Sequence, residues 1–154
     1  DITARRAQSE ARPRLDVALQ RTELVRQFPL FTDLDEAAAK RLARGLSTRY
    51  VNAGEVILSE GEVARSVYFI STGAIELERA GQTWRLGRGE MFGQLAILTR
   101  KPRRFEARVI VPTTLLSLDE ARFRRLLKRS ERLREAVRAS AEKRGMDPST
   151  ILPG

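Results

Sequence analysis

The segment GRGEMFGQLAILTRKPRR, residues 87–104, is the most informative stretch of this chain. Its glycines predict a tight turn, the apolar run 95–98 predicts a short helix, and the basic residues that follow predict a second turn containing Arg103. This order places the free backbone N–H groups of a helix N-terminus close to a guanidinium. Because both attract negative charge, the segment predicts a site for one compact anion, such as a phosphate group.

The same segment resembles the phosphate-binding cassette of cyclic nucleotide-binding domains. The likeness lies in the run FGQLAIL, residues 92–98, followed after three residues by Pro102 and Arg103. This family includes the regulatory domains of bacterial catabolite activators, cyclic-nucleotide-gated channels and cyclic-AMP-dependent kinases. The resemblance extends over about residues 28–145. It implies an α+β fold: an eight-stranded antiparallel β-roll of the jelly-roll type, N-terminal helices, a short internal phosphate-binding helix and two C-terminal helices.

The hydropathy pattern independently predicts short strands between residues 49 and 118. Ile75 and Leu77 alternate with Glu76 and Glu78, which is typical of a strand with one solvated face, and Gly81 marks a hairpin tip. Short strands at this spacing indicate a small barrel or a jelly-roll-like fold.

The chain is expected to form one domain with short flanks. We expect a linker or disordered segment at 1–13, a domain at 14–145 and a tail at 146–154. The domain divides into a helical segment 14–48, the β-roll 49–118 and C-terminal helices 119–145. Thr32 or Asp33 is predicted to cap a helix in the first part, and Asp119 the first helix of the last part. Because the chain begins at Asp1, it is expected to be a piece of a longer protein.

Composition narrows the possible functions. The chain contains no His and no Cys, so histidine-based acid–base catalysis is excluded and a metal site would need carboxylates alone. We therefore expect no enzyme, no cofactor and no metal. A net charge of +9 invites a nucleic-acid interpretation, but only four of the 29 basic residues are lysines and the arginines are spread along the chain. That spread fits a solvated surface, and no helix-turn-helix segment follows the cassette, so nucleic-acid binding is not expected. The absence of Cys fits a cytoplasmic location.

The resemblance implies a role for most residues of the cassette. Gly93 would let the backbone approach a ribose-phosphate ring, while the N–H groups of Leu95 and Ala96 would face the phosphate oxygens. Arg103 would supply the opposite charge, and losing it should weaken binding by more than about tenfold. Gln94 stands where the family usually has Glu, which accepts a hydrogen bond from the ribose 2′-hydroxyl. Glutamine can still accept that bond, at a loss of about 1 kcal/mol.

A second departure follows the cassette arginine, where the family usually has small residues and this chain has Arg104, Phe105 and Glu106. Phe105 either packs into the roll or fills the ligand space, and Arg104 offers a second phosphate contact if the ligand is a different anion. Because strand residues alternate faces, Arg104 and Glu106 should point the same way.

The base pocket is harder to predict from the sequence. Leu77 and Leu86 are candidates to line it, although apolar strand residues also serve simply as core. Arg134 or Arg138 is a candidate for the C-terminal lid over the base, and a solvated helix face is the alternative for both.

Two functions remain open at this stage. The first is a regulatory domain that senses a cyclic nucleotide, cAMP or cGMP, and couples binding to an attached effector such as a membrane transporter or channel. By analogy it would lie at the cytoplasmic face of a membrane. The second is a degenerate domain of the same fold that binds no nucleotide and serves as an interaction or dimerisation module. The sequence leaves open the base preference, the parent protein and whether the domain forms a homodimer.

Overall fold

The computed structural model describes residues 14–152, with only the backbone described for residues 14–20, so the predicted linker 1–13 lies outside it. The strands are β1 (Ser47–Val51), β2 (Val56–Leu58), β3 (Ser66–Thr72), β4 (Ala74–Arg79), β5 (Gln82–Gly87), β6 (Met91–Phe92), β7 (Glu106–Val109) and β8 (Thr113–Asp119). The helices are α1 (Arg14–Gln27), α2 (Glu36–Gly45), α3 (Gln94–Thr99), α4 (Glu120–Arg129) and α5 (Glu131–Lys143), with 3-10 turns at Pro29–Phe31 and Pro148–Thr150. No helix in the described range is long and apolar enough to cross a membrane.

The strands form two four-stranded antiparallel sheets, which confirms the predicted eight-stranded roll. One sheet has the order β1-β8-β3-β6 and the other β2-β7-β4-β5. The β4–β5 hairpin turns through Ala80 and Gly81, both at positive φ, with Arg79 opposite Gln82. Two successive positive φ values define the tight turn whose twist matches the twist of the strands.

The helical segment before the roll is attached to it by aromatic packing. Phe28 and Phe31 stack with their ring centroids 5.0 Å apart, and both meet the ring of Phe69 on β3 edge-on. Phe31 and Phe69 are fully buried in the core between the sheets and the helices. This cluster fixes the first helices against the sheet that contains β3.

The structure corrects the cap predicted at Thr32 or Asp33. Asp35 caps α2 instead, accepting a 2.7 Å hydrogen bond from the backbone N–H of Ala38. Asp33 makes a long-range contact: its carboxylate accepts from the hydroxyl of Ser130 at 2.8 Å and from the N–H of Arg132. The predicted cap at Asp119 is present, since its carboxylate accepts from the N–H of Arg122.

The last residues pack against the domain, whereas the sequence predicts a tail there. The 3-10 turn Pro148–Thr150 lies against α5, and Ile151 is buried in the core cluster. Burial of one apolar side chain stabilises such a segment by about 1.5–3 kcal/mol, enough to hold it in place.

Candidate ligand-binding pocket

Helix α3 is preceded by a glycine, at a position where any other residue would be strained. Gly93 has φ +88 and precedes the helix without any side-chain cap. A Cβ at this position would lie 3.0 Å from Nη1 of Arg103 and 3.5 Å from Cδ1 of Leu58. Gly93 therefore clears the space that the guanidinium occupies, in addition to exposing the first N–H groups of the helix.

Arg103 points inward and is only 6% exposed. Its Nη1 donates to the carbonyl of Gly93 at 2.8 Å and its Nη2 to the carbonyl of Ser66 at 2.9 Å. Within the described residues it forms no salt bridge. Burial lowers the pKa of Arg103, partly opposed by Tyr68 and Glu62, but an arginine stays charged at neutral pH. The site thus contains a buried positive charge that no carboxylate of the described residues contacts directly, although Glu62 lies close enough to act on it.

Gln94 connects the short helix to the C-terminal helix. It is 2% exposed, and its Nε2 donates to the hydroxyl of Ser140 on α5 at 2.9 Å. Its Oε1 accepts no hydrogen bond from the described residues, so the acceptor that a ribose hydroxyl would need is available.

Burial alternates after Arg103, but Arg104 lines the pocket and Glu106 does not, so the two do not point the same way as the sequence predicted. Phe105 is buried, and its ring meets Trp84 edge-on at 5.6 Å while the guanidinium of Arg79 lies 5.7 Å from its centroid. Glu106 faces away from the pocket and pairs with Arg108 at 3.4 Å. Phe105 forms a pocket wall, and the carboxylate of Glu106 does not oppose a bound anion there.

Arg144, which the sequence analysis did not single out, is the second buried cation of the pocket. It follows the last turn of α5, is 9% exposed, and donates from Nη1 to the carbonyl and hydroxyl of Ser140 at 2.9 and 2.6 Å. Its guanidinium lies 5.9 Å from the ring centroid of Trp84, and its Nε has no hydrogen-bond partner. Burial lowers the pKa of Arg144, and Glu90 opposes this shift.

The structure brings all eight predicted site residues to one pocket, which two residues of the C-terminal segment also line. The eight are Leu77, Gly93, Gln94, Leu95, Ala96, Arg103, Arg104 and Phe105, and the two are Arg144 and Met146. Three further candidates lie elsewhere. Leu86 is buried but does not line the pocket, while Arg134 and Arg138 are half-buried, pair with Glu131 on α5 and do not line the pocket either.

The pocket is nearly closed by the protein's own side chains. It encloses about 480 Å³ including its open mouth, but the centre of a water molecule can reach only about 30 Å³ of that space. A reachable volume of this size holds a few waters at most. A nucleotide would therefore fit only if residues that line the pocket move.

Comparison with known proteins identifies similar sequences and folds. A model of the cyclic nucleotide-binding domain matches residues 48–130. A cyclic nucleotide-gated potassium channel of Rhizobium etli is 35% identical over 127 residues, which is 82% of this chain and 36% of the channel. The chain thus spans about a third of that relative's length.

Solved structures agree on the fold. The cAMP-bound structure of PfPKA-R superposes with a TM-score of 0.75 at 22% identity, over 89% of this chain and 50% of that one. The regulatory subunit of a cAMP-independent protein kinase A from Trypanosoma brucei superposes with a TM-score of 0.72 at 20% identity, over 81% and 47%. Because the sequence identity to both structures is low, these similarities support the fold only. The ligand has to be inferred from the residues of the site.

Proposed function

Because the chain belongs to the cyclic nucleotide-binding domain family, we propose that it binds a cyclic nucleotide, with cAMP the first ligand to test and cGMP the second. One observation carries this proposal. Arg103 and Arg144 are both buried in the wall of one pocket, and neither forms a salt bridge among the described residues. Buried charges are stable when they are paired, and a cyclic phosphate would supply the missing partner.

The remaining residues fit the other parts of such a ligand. The phosphate would lie between the first N–H groups of α3 and Arg103, with the ribose against the free Oε1 of Gln94. The base would lie between the wall formed by Leu77 and Phe105 and the guanidinium of Arg144. Arg104 is exposed at the mouth, where it adds positive charge that attracts the anion.

Ligand binding would be transmitted through the C-terminal segment. Since the pocket is almost closed, the ligand has to displace or rearrange the residues around Ser140 and Arg144, and this shifts α5 between two positions. In a longer protein that movement would reach an attached effector. The potassium-channel relative supports a channel at the cytoplasmic face of a membrane as that effector, in preference to a transporter.

A second candidate function has its own support. Side chains of the protein fill much of the pocket. This observation favours a domain that binds no nucleotide and acts through protein contacts.

Isothermal titration calorimetry separates the two candidates. We expect heat of binding with cAMP or cGMP, and a loss of affinity of more than about tenfold in Arg103→Ala. Arg88→Ala is a matched control, because Arg88 is exposed, lies in the same segment and does not line the pocket. Absence of heat with either nucleotide, or an equal loss in both variants, would reject nucleotide binding at this site.

A further inference from the structure

A second recess lies between α2 and α4, on the helical side of the domain, and shares no residue with the ligand pocket. We call it the arginine groove. It has a volume of about 390 Å³. Its floor contains Ala38, Leu42, Leu118 and Leu126, and its rim contains Arg41, Arg44, Arg122, Arg125 and Arg129.

The rim holds a local excess of positive charge. All five arginines are exposed, and among the residues whose side chains the structure describes Asp119 is the one carboxylate that pairs with any of them, through Arg122. The same helix α4 also carries Arg124, which lies outside the groove and pairs with Glu120 at 3.0 Å. Unpaired arginines in the described part of these two helices are therefore concentrated where α2 and α4 face each other.

This arrangement is unfavourable for the isolated domain. Arg41 and Arg44 are three residues apart on α2, and on α4 Arg125 lies three residues after Arg122 and four before Arg129. Like charges at such spacings destabilise a helix, and the two rows also face each other across the groove. The negative charges of a bound partner would attract these arginines and so offset the repulsion between them.

One side chain of the groove is held in place before any partner arrives. Arg122 crosses the C-terminal end of α2 at Gly45, where a Cβ would lie 2.4 Å from its Cδ. Its guanidinium is paired with Asp119, which also caps α4. A fixed guanidinium loses less conformational entropy when it binds, so it favours a specific contact.

We propose that the arginine groove binds an acidic peptide segment of a partner protein. Guanidinium forks match carboxylates with two hydrogen bonds each, and the recess has the depth to accept side chains between two helices. The arginine stems together with Leu42 and Leu126 give an apolar surface for one side chain of that segment. A bilayer surface is flat and would contact the rim alone, and duplex nucleic acid would need the arginines spread over a wider face.

The probe is a fluorescein-labelled synthetic peptide with leucines on one helical face and glutamates on both sides of them. Its binding to the chain is measured by fluorescence anisotropy, alongside a peptide in which every glutamate is replaced by glutamine. The groove variant is Arg41→Gln/Arg125→Gln. The control variant, Arg49→Gln/Arg85→Gln, removes the same charge from two exposed arginines outside the groove.

We expect the glutamate peptide to bind wild type and the control variant alike, at least about tenfold more weakly to the groove variant, and the glutamine peptide to bind none of them measurably. An equal loss in both double variants would show that overall charge alone attracts the peptide, and would overturn the proposal. So would tighter, groove-dependent binding of phosphatidylserine vesicles or of a DNA duplex than of the peptide. Circular dichroism and thermal unfolding confirm that both variants, which change exposed residues alone, keep the fold.

Discussion

At the scale of single residues, Arg103 illustrates how the chain holds a charge ready for a ligand. Its two terminal nitrogens are fixed by the carbonyls of Gly93 and Ser66, so the orientation of the guanidinium is set by the backbone. The carbonyls are dipoles and leave the net charge in place. The side chain is thus positioned by neutral groups while its charge stays available, an arrangement that favours strong electrostatic binding in a site with little water.

The first prediction concerns Gln94. In Gln94→Glu a carboxylate replaces the amide oxygen as acceptor for a ribose hydroxyl, which strengthens that bond by about 1 kcal/mol, or about fivefold in affinity. The hydroxyl of Ser140 can donate to the new carboxylate, so the contact between α3 and α5 is retained. Calorimetry with cAMP measures the change. Unaltered or weaker binding in this variant would show that the side chain does not reach the ribose.

A second prediction concerns Arg144. Arg144→Met keeps the apolar contact with Trp84 but removes the charge and the unpartnered Nε, so nucleotide affinity should fall by about tenfold. Arg138→Met is the matched control, because Arg138 lies on α5 and does not line the pocket. If Arg138→Met loses as much affinity as Arg144→Met, the loss does not come from the contact that Arg144 makes in the pocket.

At the scale of secondary-structure elements, the junction between α4 and α5 depends on one buried hydroxyl. Ser130 is fully buried; it accepts from the N–H of Leu133 at 3.0 Å as the cap of α5, and donates to Asp33 at 2.8 Å. We predict that Ser130→Ala lowers the free energy of unfolding by about 1–3 kcal/mol, because it removes the cap and leaves the buried N–H of Leu133 without its side-chain acceptor.

Urea denaturation of Ser130→Ala, Asp33→Ala and the double variant tests this prediction. Residues in one hydrogen-bonded network should couple, so the double variant should lose about 1 kcal/mol less than the two single losses added together. Simple additivity would indicate that the two side chains act independently.

The fourth prediction compares two glycines at turns of the roll. Gly73 has φ +101, and a Cβ there would lie 2.2 Å from Oγ1 and 2.7 Å from the Cα of Thr113. Gly81 has φ +82, but no atom lies within 4 Å of its Cβ position. Gly81→Ala should therefore cost about 1–2 kcal/mol from backbone strain, and Gly73→Ala about 1–3 kcal/mol more from the steric clash. Chemical denaturation of both variants measures the difference; equal losses would mean that the β7–β8 turn moves freely.

Local sequence signals account for much of the fold and of the pocket, and they fail where long-range packing decides. The alternation of apolar and acidic residues at 75–78 and the glycines between strands are short-range patterns that predict the roll. The sequence of the cassette likewise predicts its short helix and the turn after it. Asp33 and Asp35 are equally good caps by residue type, and only the approach of Ser130, far along the chain, assigns Asp33 elsewhere. Arg144 was missed for the same reason. The one available signal was that it follows Ser140 by four residues and so lies on the same face of the C-terminal helix.

At the scale of the whole molecule, the net charge of +9 is distributed in two ways. Two of the four acidic residues of α4 and α5 pair with a nearby arginine, Glu120 with Arg124 and Glu131 with Arg134. Two places concentrate arginines, the pocket and the arginine groove. They share no residue: the pocket lies beside α3 and the residues that follow α5, and the groove lies between α2 and α4.

The last prediction follows from this separation and concerns the stability of the whole domain. A ligand that binds only the folded state, at a hundred times its dissociation constant, stabilises the fold by about 2.7 kcal/mol. For a chain of this length that amounts to a rise in Tm of about 5–10 °C. We expect this rise with cAMP or cGMP in wild type, and not in Arg103→Ala at the same concentration. Inorganic phosphate is the control ligand: it matches the anion but lacks ribose and base, so it should produce a much smaller shift.

Hydrogen exchange measured in parallel should show added protection in α3 and α5, which Gln94 and Ser140 connect. An equal shift with phosphate would reduce the pocket to a general anion site, and a shift without change in α5 would mean that binding is not transmitted to the C-terminal helix.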